Sequence, residues 1–388
     1  MTLAFARVRL ILAFDEPLAA KPEPMMSSTA DCFSRSYDEA RHKFRAAAEA
    51  AGAALDVFEH PGRGPEGEVL TTDVAWLGPP DADRALVLMS GTHGVEGYCG
   101  SGAQIDFLRR GETPGVGVLL IHAINPWGFA WTRRVNEDNI DLNRNWVDFA
   151  TPPASNPGYS ELAEDLCPSL WTPETQQATT ERLLAWRAAK GERAFQKAVS
   201  IGQYTHPLGL FYGGTGPSWS RRTQAAILAK YLAAARRVAV IDYHTGLGPE
   251  GYAELILCAP PGSAEFARAA SWYGAAVTST KGAEATDAAQ SASEDVMGDN
   301  LVGSAQLLPG AEFTGVAFEV GTAPLFEVLQ ALRADAWLHA HGDPRSDEGR
   351  RIEDRMRAAF YKETDFWKGM VAGQSLAAIR RAIAGLTR

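Results

Sequence analysis

The chain has little cysteine, no long apolar run and no basic stripe, and each shortage closes off a class of protein. Its four cysteines, Cys32, Cys99, Cys167 and Cys258, lie far apart and form no CxxC pair. Such a set suits reduced thiols in a cytoplasmic protein better than a disulfide framework, and cytoplasm is the expected compartment. No stretch is apolar for long enough to span a bilayer, so no membrane partner is expected. Acidic residues number 47 against 37 basic ones, a formal net charge of -10. With no basic run either, a nucleic-acid partner is not expected. There is no repeat of the solenoid kind. The opening residues, MTLAFARVRLILAFDEP, place arginines inside a short apolar stretch and lack a signal-peptide layout. A second start is available at Met25–Met26, and residues 1–30 are expected to be a disordered or misread extension.

What is present is an ordinary globular composition. The 388 residues are 46% hydrophobic and 22% charged, enough for a core that needs no disulfides. Tyr37–Ala51 reads as a helix closed by a glycine, and Ala54–Glu59 and Asp73–Leu77 read as strands. Four short apolar runs, Asp83–Ser90, Gly117–Ala123, Arg237–Tyr243 and Gly315–Val320, suit strands buried on both faces. Helical patterns at Glu181–Ala198 and Arg222–Ala235 lie among them, and amphipathic helix follows Asp347. Buried strands alternating with helices predict an α/β fold with helices on both faces of a sheet. Ligands in such sheets gather at the carboxyl ends of the strands. Residues Thr278–Gln306, rich in Ala, Ser, Gly and acidic residues, are expected as a loop excursion, either a lid over a site or a disordered surface insertion.

The strand Ala85–Ser90 runs into GTHGVEGYCG, where His93 and Glu96 are three residues apart in a glycine-rich turn. Glycines 91, 94 and 97 allow the tight turns that bring an imidazole and a carboxylate to one ion. A catalytic zinc takes three protein ligands and keeps a position for water. The third ligand should come from another strand end, and His244, in DYHTGLG after the apolar run RVAVIDY, has that context. Singly, each histidine reads as a hydrogen-bonded strand-end residue; with Glu96 and the glycine loop the metal reading is favoured. Glu319, at the end of the apolar run GVAF, carries a desolvation cost that suits a general base better than a salt-bridged surface carboxylate. Arg133, Arg134, Asn143 and Arg144 fall within twelve residues, a density that suits an anionic end of a substrate. Ile201–Ser220, rich in glycine and aromatics, is a candidate wall of the substrate pocket.

The ordered set HGVEG, NPWG, RRVNEDNIDLNRNW, DYHTG and FEVGT resembles the zinc carboxypeptidases of the funnelin (M14) type, and within them the DUF2817-like branch. The succinylglutamate desuccinylase/aspartoacylase group shares the same skeleton. The resemblance spans Ala85 to Thr322. It implies a mixed, largely parallel central sheet and a single catalytic domain over residues 31–388, within which 278–306 is the loop excursion that could serve as a lid. It implies one zinc ion held by His93, Glu96 and His244, and Glu319 as general base. Asn143 and Arg144 then match the residues that grip a substrate carboxylate. Arg134 matches the arginine that polarises the scissile carbonyl, with Arg133 as the alternative. Asp141 matches the carboxylate that orients the first histidine. The family also keeps a mobile tyrosine ahead of the base, yet Thr278–Ala311 contains none; Tyr212 and Tyr252 are the candidate substitutes. The implied activity is a metallocarboxypeptidase that removes a C-terminal residue from a peptide. An N-acyl-amino-acid deacylase is the alternative, so the expected partner is a small peptide or acyl-amino-acid with a carboxylate. Two other readings stand beside these: a non-catalytic zinc- or ligand-binding protein, and a thiol hydrolase using Cys99.

Overall fold

The computed structural model describes residues 28–112, 115–274, 276–281 and 293–388. In chain order its main elements are α1 (Tyr37–Ala50), β1 (Ala54–Arg63), β2 (Val69–Leu77), β3 (Arg84–Met89), α2 (Gly97–Arg109), β4 (Gly117–His122) and α3 (Pro126–Ala130). Next come α4 (Pro157–Leu166), α5 (Pro173–Lys190), α6 (Glu192–Ser200), α7 (Trp219–Tyr231), β5 (Arg237–Glu250), β6 (Ala253–Leu257), α8 (Ala264–Tyr273) and β7 (Val277–Ser279). The chain closes with α9 (Asn300–Gln306), β8 (Glu312–Gly321), α10 (Leu325–His341), α11 (Asp347–Phe360) and α12 (Asp365–Thr387).

The eight strands form one sheet in the order β1-β2-β4-β3-β5-β8-β6-β7. The continuous apolar runs form its parallel centre, β4-β3-β5-β8. Antiparallel pairs flank that centre, and β7 returns parallel to β6 at one edge. The expected α/β fold, with a mixed, largely parallel sheet between helices, is therefore what the chain adopts. Alternate residues of the central strands face opposite ways, as a two-residue period requires. Leu86, Leu88, Leu120 and Ile241 pack with Phe44, Phe107 and Ile379 on one face. Val87, Met89, Leu119 and Val240 pack with Ile227, Leu228 and Leu301 on the other. A third apolar cluster unites α4, α5, α6, α10 and α11 through residues such as Leu162, Leu183, Val328 and Phe360. It includes Val95, from the loop that leaves β3, and so lies at the carboxyl end of the sheet.

Several boundaries differ from expectation. The single helix expected over Glu181–Ala198 is split into α5 and α6 by Gly191, whose φ of +93° no helix accommodates. The strand expected to stop at Tyr243 continues to Glu250, because β8 supplies a partner for each residue from His244 to Gly246. Strands β6 and β7 were not legible as apolar runs. In the stretch expected as a loop excursion, β7 (Val277–Ser279) runs into its start and Asn300–Gln306 is helix; residues 282–292 lie outside the described residues. Most of the expected N-terminal extension, residues 1–27, also lies outside them. No described helix is long and apolar enough to cross a membrane.

Candidate metal centre

β3 ends at Met89, and the chain turns back on itself at Gly91, whose φ is +68°. Glycine is needed at 94 for a different reason: a Cβ there would lie 2.0 Å from the carbonyl carbon of Gly128. The loop is thereby seated on the following segment, and the amides of Gly94 and Val95 donate to the carbonyls of Arg134 and Arg133. His93 caps the short turn Gly94–Glu96, so its imidazole and the Glu96 carboxylate project to the same side, 2.9 Å apart at Nδ1 and Oε1.

His244 arrives from β5. Its Nδ1 lies 3.1 Å from Glu96 Oε2 and 3.2 Å from His93 Nδ1. All three side chains are buried. Each histidine gives its other nitrogen to a carboxylate: His93 Nε2 meets Asp141 Oδ1 at 3.1 Å, and His244 Nε2 meets Asp242 Oδ2 at 3.0 Å. With protons on both Nε2 atoms, both Nδ1 lone pairs and the Glu96 carboxylate converge as acceptors. Such a set asks for a cation at its centre. Donors around a tetrahedral zinc, with bonds of 2.0–2.2 Å to nitrogen and oxygen, stand about 3.3–3.5 Å apart, close to the spacings found here. The residues therefore fit a zinc-like ion, and the carboxylates behind the histidines fix tautomer and orientation.

Burial works against the Glu96 charge, but His93, His244 and Arg134 outweigh it and hold the carboxyl below its ordinary range. Burial would also neutralise His244, yet Asp242 and Glu96 raise its pKa well above the usual value. Asp141 is likewise buried and held down by Arg134, Arg144 and His93. Arg134 ties these groups together, its Nη1 donating to Glu96 Oε1 and its Nε to Asp141 Oδ2, each at 3.0 Å.

Glu319 sits on β8 directly beside His244, so its side chain emerges on the same face. Burial pushes its carboxyl up to about 7, and the Glu96 charge adds to that effect. Its Oε1 accepts the amide of Leu247 at 2.9 Å. The group opens into a cavity of about 150 Å³ that it shares with His93, His244, Arg134, Asn143 and Arg144. Asn143 lines the cavity, and its Oδ1 accepts the amide of Asn300 at 2.7 Å. Arg144 is buried, and its guanidinium donates to the carbonyls of Ser200 and Asn143.

Three expected site residues are placed elsewhere. Arg133 forms a buried pair with Asp335, Nε to Oδ2 at 3.0 Å, and does not line the main cavity. Tyr212 is packed into the core beside Ile140 and Leu142, and only its carbonyl serves the site, by accepting the amide of Asp141. Tyr252 stands exposed at the turn between β5 and β6. Adjacent residues on an extended or looped chain point to opposite sides: Arg134 lines the cavity where Arg133 does not, and Phe211 does where Tyr212 does not. Phe211 stands between Arg134 and Arg144, 5.4 Å from each guanidinium, with a positive φ of 54°. No tyrosine lines the cavity among the described residues. Cys99 is fully buried and burial pushes its thiol well above the ordinary value, which removes the thiolate a thiol hydrolase needs.

Asp242 was not legible as a site residue, although it stands two before His244 on one strand and so shares its face. Thr92 Oγ1 and Asn300 Nδ2 donate to it at 2.8 and 3.1 Å. Asp242→Asn is expected to weaken metal affinity about 10- to 100-fold, read by competition against a chromogenic chelator. Unchanged affinity would show that Asp242 does not serve the ligand set.

The chain belongs to the DUF2817 family, described as proteins of unknown function, whose model matches residues 33–374. That match bears out the branch to which the sequence motifs pointed. No curated protein matches the chain. Among solved structures it is similar to bovine thrombin-activatable fibrinolysis inhibitor in complex with a tick carboxypeptidase inhibitor, at 13% identity and a TM-score of 0.49, covering 93% of this chain and 99% of that one. It is also similar to carboxypeptidase A from Helicoverpa armigera, at 13% identity, TM-score 0.43 and coverages of 86% and 77%. A further likeness is to the succinylglutamate desuccinylase from Chromobacterium violaceum, at 14% identity, TM-score 0.35 and coverages of 82% and 73%.

Proposed function

We infer that the chain is a metal-dependent hydrolase that cleaves an amide bond in a small substrate bearing a carboxylate. The observation that carries this reading is the convergence of three acceptors, His93 Nδ1, His244 Nδ1 and the Glu96 carboxylate, beside the Glu319 carboxyl in the same cavity. His93, Glu96 and His244 would hold one ion, zinc by the chemistry of the donors. A bound zinc supplies Lewis acidity, polarising a carbonyl and lowering the pKa of water towards ~7.

The chain's own groups do the rest. Glu319 accepts a proton from water as its oxygen bonds to the amide carbon, and passes that proton to the nitrogen as the C–N bond breaks. The products are a carboxylic acid and an amine. Arg134, positive and fixed by two carboxylates, offers its remaining N–H groups to the oxygen on which negative charge builds. Asn143 Nδ2 and the Arg144 charge hold the substrate carboxylate.

Two activities fit this scheme, a carboxypeptidase and an N-acyl-amino-acid deacylase. The absence of tyrosine from the described cavity wall, and the engagement of Arg144 by backbone carbonyls, favour the deacylase. A non-catalytic binding protein has no use for a buried carboxyl that stands beside the donor set without joining it. The test is metal analysis of purified protein, paired with amide hydrolysis before and after chelation. One equivalent of zinc and an activity that chelation abolishes and zinc restores are expected. Activity indifferent to chelation would overturn the reading.

A further inference from the structure

Resting on that reading, we propose that the cavity takes the acyl side of its substrate as a hydrocarbon group of ring or short-alkyl size. The substrates are then N-acyl amino acids with an apolar acyl chain, not peptides. The two walls of the cavity differ in chemistry. One wall, built from the Asn143–Arg144 turn, the end of β6 and residues 293–299, carries most of the polar side chains, Thr280, Ser293, Glu294 and Asp299, with Ile256 and Val296 among them. Asn143 and Arg144 lie on this wall, so a substrate carboxylate held there brings its own amino-acid residue against polar groups.

The opposite wall comes from α6, α10 and the end of α11. Phe195, Val199, Val328, Leu329, Leu332 and Phe360 line it. These buried residues belong to one apolar cluster, so the wall is the cavity-facing edge of a core, with Gln196 and Ser200 of α6 as its polar neighbours. α6 leads away from the carboxylate end: the carbonyl of its last residue, Ser200, accepts from Arg144, and Phe195 lies five residues back along the helix. Phe360 approaches the reacting groups themselves, since a Cβ added at Gly246 would sit 3.4 Å from its ring and 3.6 Å from Glu319 Oε1.

The polar side chains here are largely committed. Ser200 Oγ donates to the carbonyl of Gln196, and Thr245 Oγ1 to that of Phe360. A peptide extending from the scissile bond along this wall would bury N–H and C=O groups with few partners, a costly arrangement. A hydrocarbon carries no such groups and gains from every methylene it hides. The cavity, about 150 Å³, also has to take the scissile amide and the carboxylate, so the acyl group it admits is short.

The experiment uses zinc-loaded full-length protein and follows amine release from N-acetyl, N-butanoyl, N-hexanoyl and N-phenylacetyl derivatives of glycine, phenylalanine, glutamate and lysine. Tripeptides ending in the same residues complete the panel. The expected result is a rise in kcat/KM of roughly fourfold per methylene, levelling once the cavity is full, whichever amino acid is released. Leu329→Ser and Val199→Ser should each lower the ratio of hexanoyl to acetyl rates about tenfold. Should either variant fail to fold, the chain-length series on the native protein still decides. A flat acyl series, a preference that follows the amino-acid side chain, or tripeptides that match the best acyl substrate would overturn the proposal. A second measurement separates it from the hydrolase reading. Calorimetric binding of N-hexanoyl- and N-acetyl-glycine to Glu319→Gln should show the same chain-length dependence. Length-dependent binding without turnover in the native protein would uphold the apolar wall and sink the hydrolase; turnover without length dependence would do the reverse.

Discussion

Glu319→Gln is expected to lower kcat by about 10²- to 10⁴-fold while leaving one equivalent of metal bound. The side chain keeps its volume and its amide oxygen can still accept from Leu247, but it can no longer take a proton. Glu319 is not a member of the donor set His93, Glu96 and His244, so metal stoichiometry should be untouched. Steady-state kinetics beside metal analysis reads both halves. Turnover retained within tenfold would remove the general-base role, and loss of metal would make Glu319 a ligand.

The same substitution has a stability consequence with a definite sign. In the metal-free protein the Glu319 carboxyl is raised from 4.5 to about 7 by burial and by Glu96. A raised carboxyl favours the folded state below pH 4.5, and this contribution is lost as the pH rises through about 7. At pH 8 the native protein therefore buries a charge that glutamine lacks. Metal-free Glu319→Gln should be more stable than the native protein by about 1–3 kcal/mol at pH 8. Solvent reaching the carboxyl through the cavity screens part of the burial cost. The advantage should shrink as the pH falls towards 5, and denaturant titrations at the two pH values check it. An equal difference at both would contradict the linkage.

The second large effect concerns His244. His244→Gln keeps a polar group for Asp242 but removes one of three donors, and metal affinity should fall by on the order of 10³-fold or more. The readout is thermal unfolding with and without zinc. An ion present at about 1,000 times its Kd stabilises the native protein by ~4 kcal/mol, a shift of several degrees. The variant should show almost no shift at the same concentration and no detectable hydrolysis. A zinc-induced shift as large as that of the native protein would exclude His244 from the donor set.

The local chemistry of the centre was legible because its parts announce themselves. His93 and Glu96 share one glycine-rich turn, and His244 and Glu319 follow the apolar runs that become β5 and β8. Continuous apolar runs identify buried parallel strands, and the carboxyl ends of such strands open on one edge of a sheet. The polar partners were harder. Asp242 offered only its two-residue spacing from His244. Asn300, which donates to Asp242 and supports Asn143, lies 58 residues beyond the former and 157 beyond the latter, with no local pattern to mark it.

Composition, period and order along the chain are short-range properties, and they sufficed for the α/β class, the central strands and the candidate ligands. Which member of a neighbouring pair faces the cavity is a long-range matter. Arg134 rather than Arg133 meets Glu96 because Asp335, on α10, takes the other guanidinium. Phe211 rather than Tyr212 enters because a left-handed residue at 211 turns the chain there. The apolar wall is of the same kind: Phe195, Leu329 and Phe360 come from three helices far apart in sequence. They become one surface only when the third core closes over the sheet, since burial of apolar area, unlike a motif, has no fixed spacing.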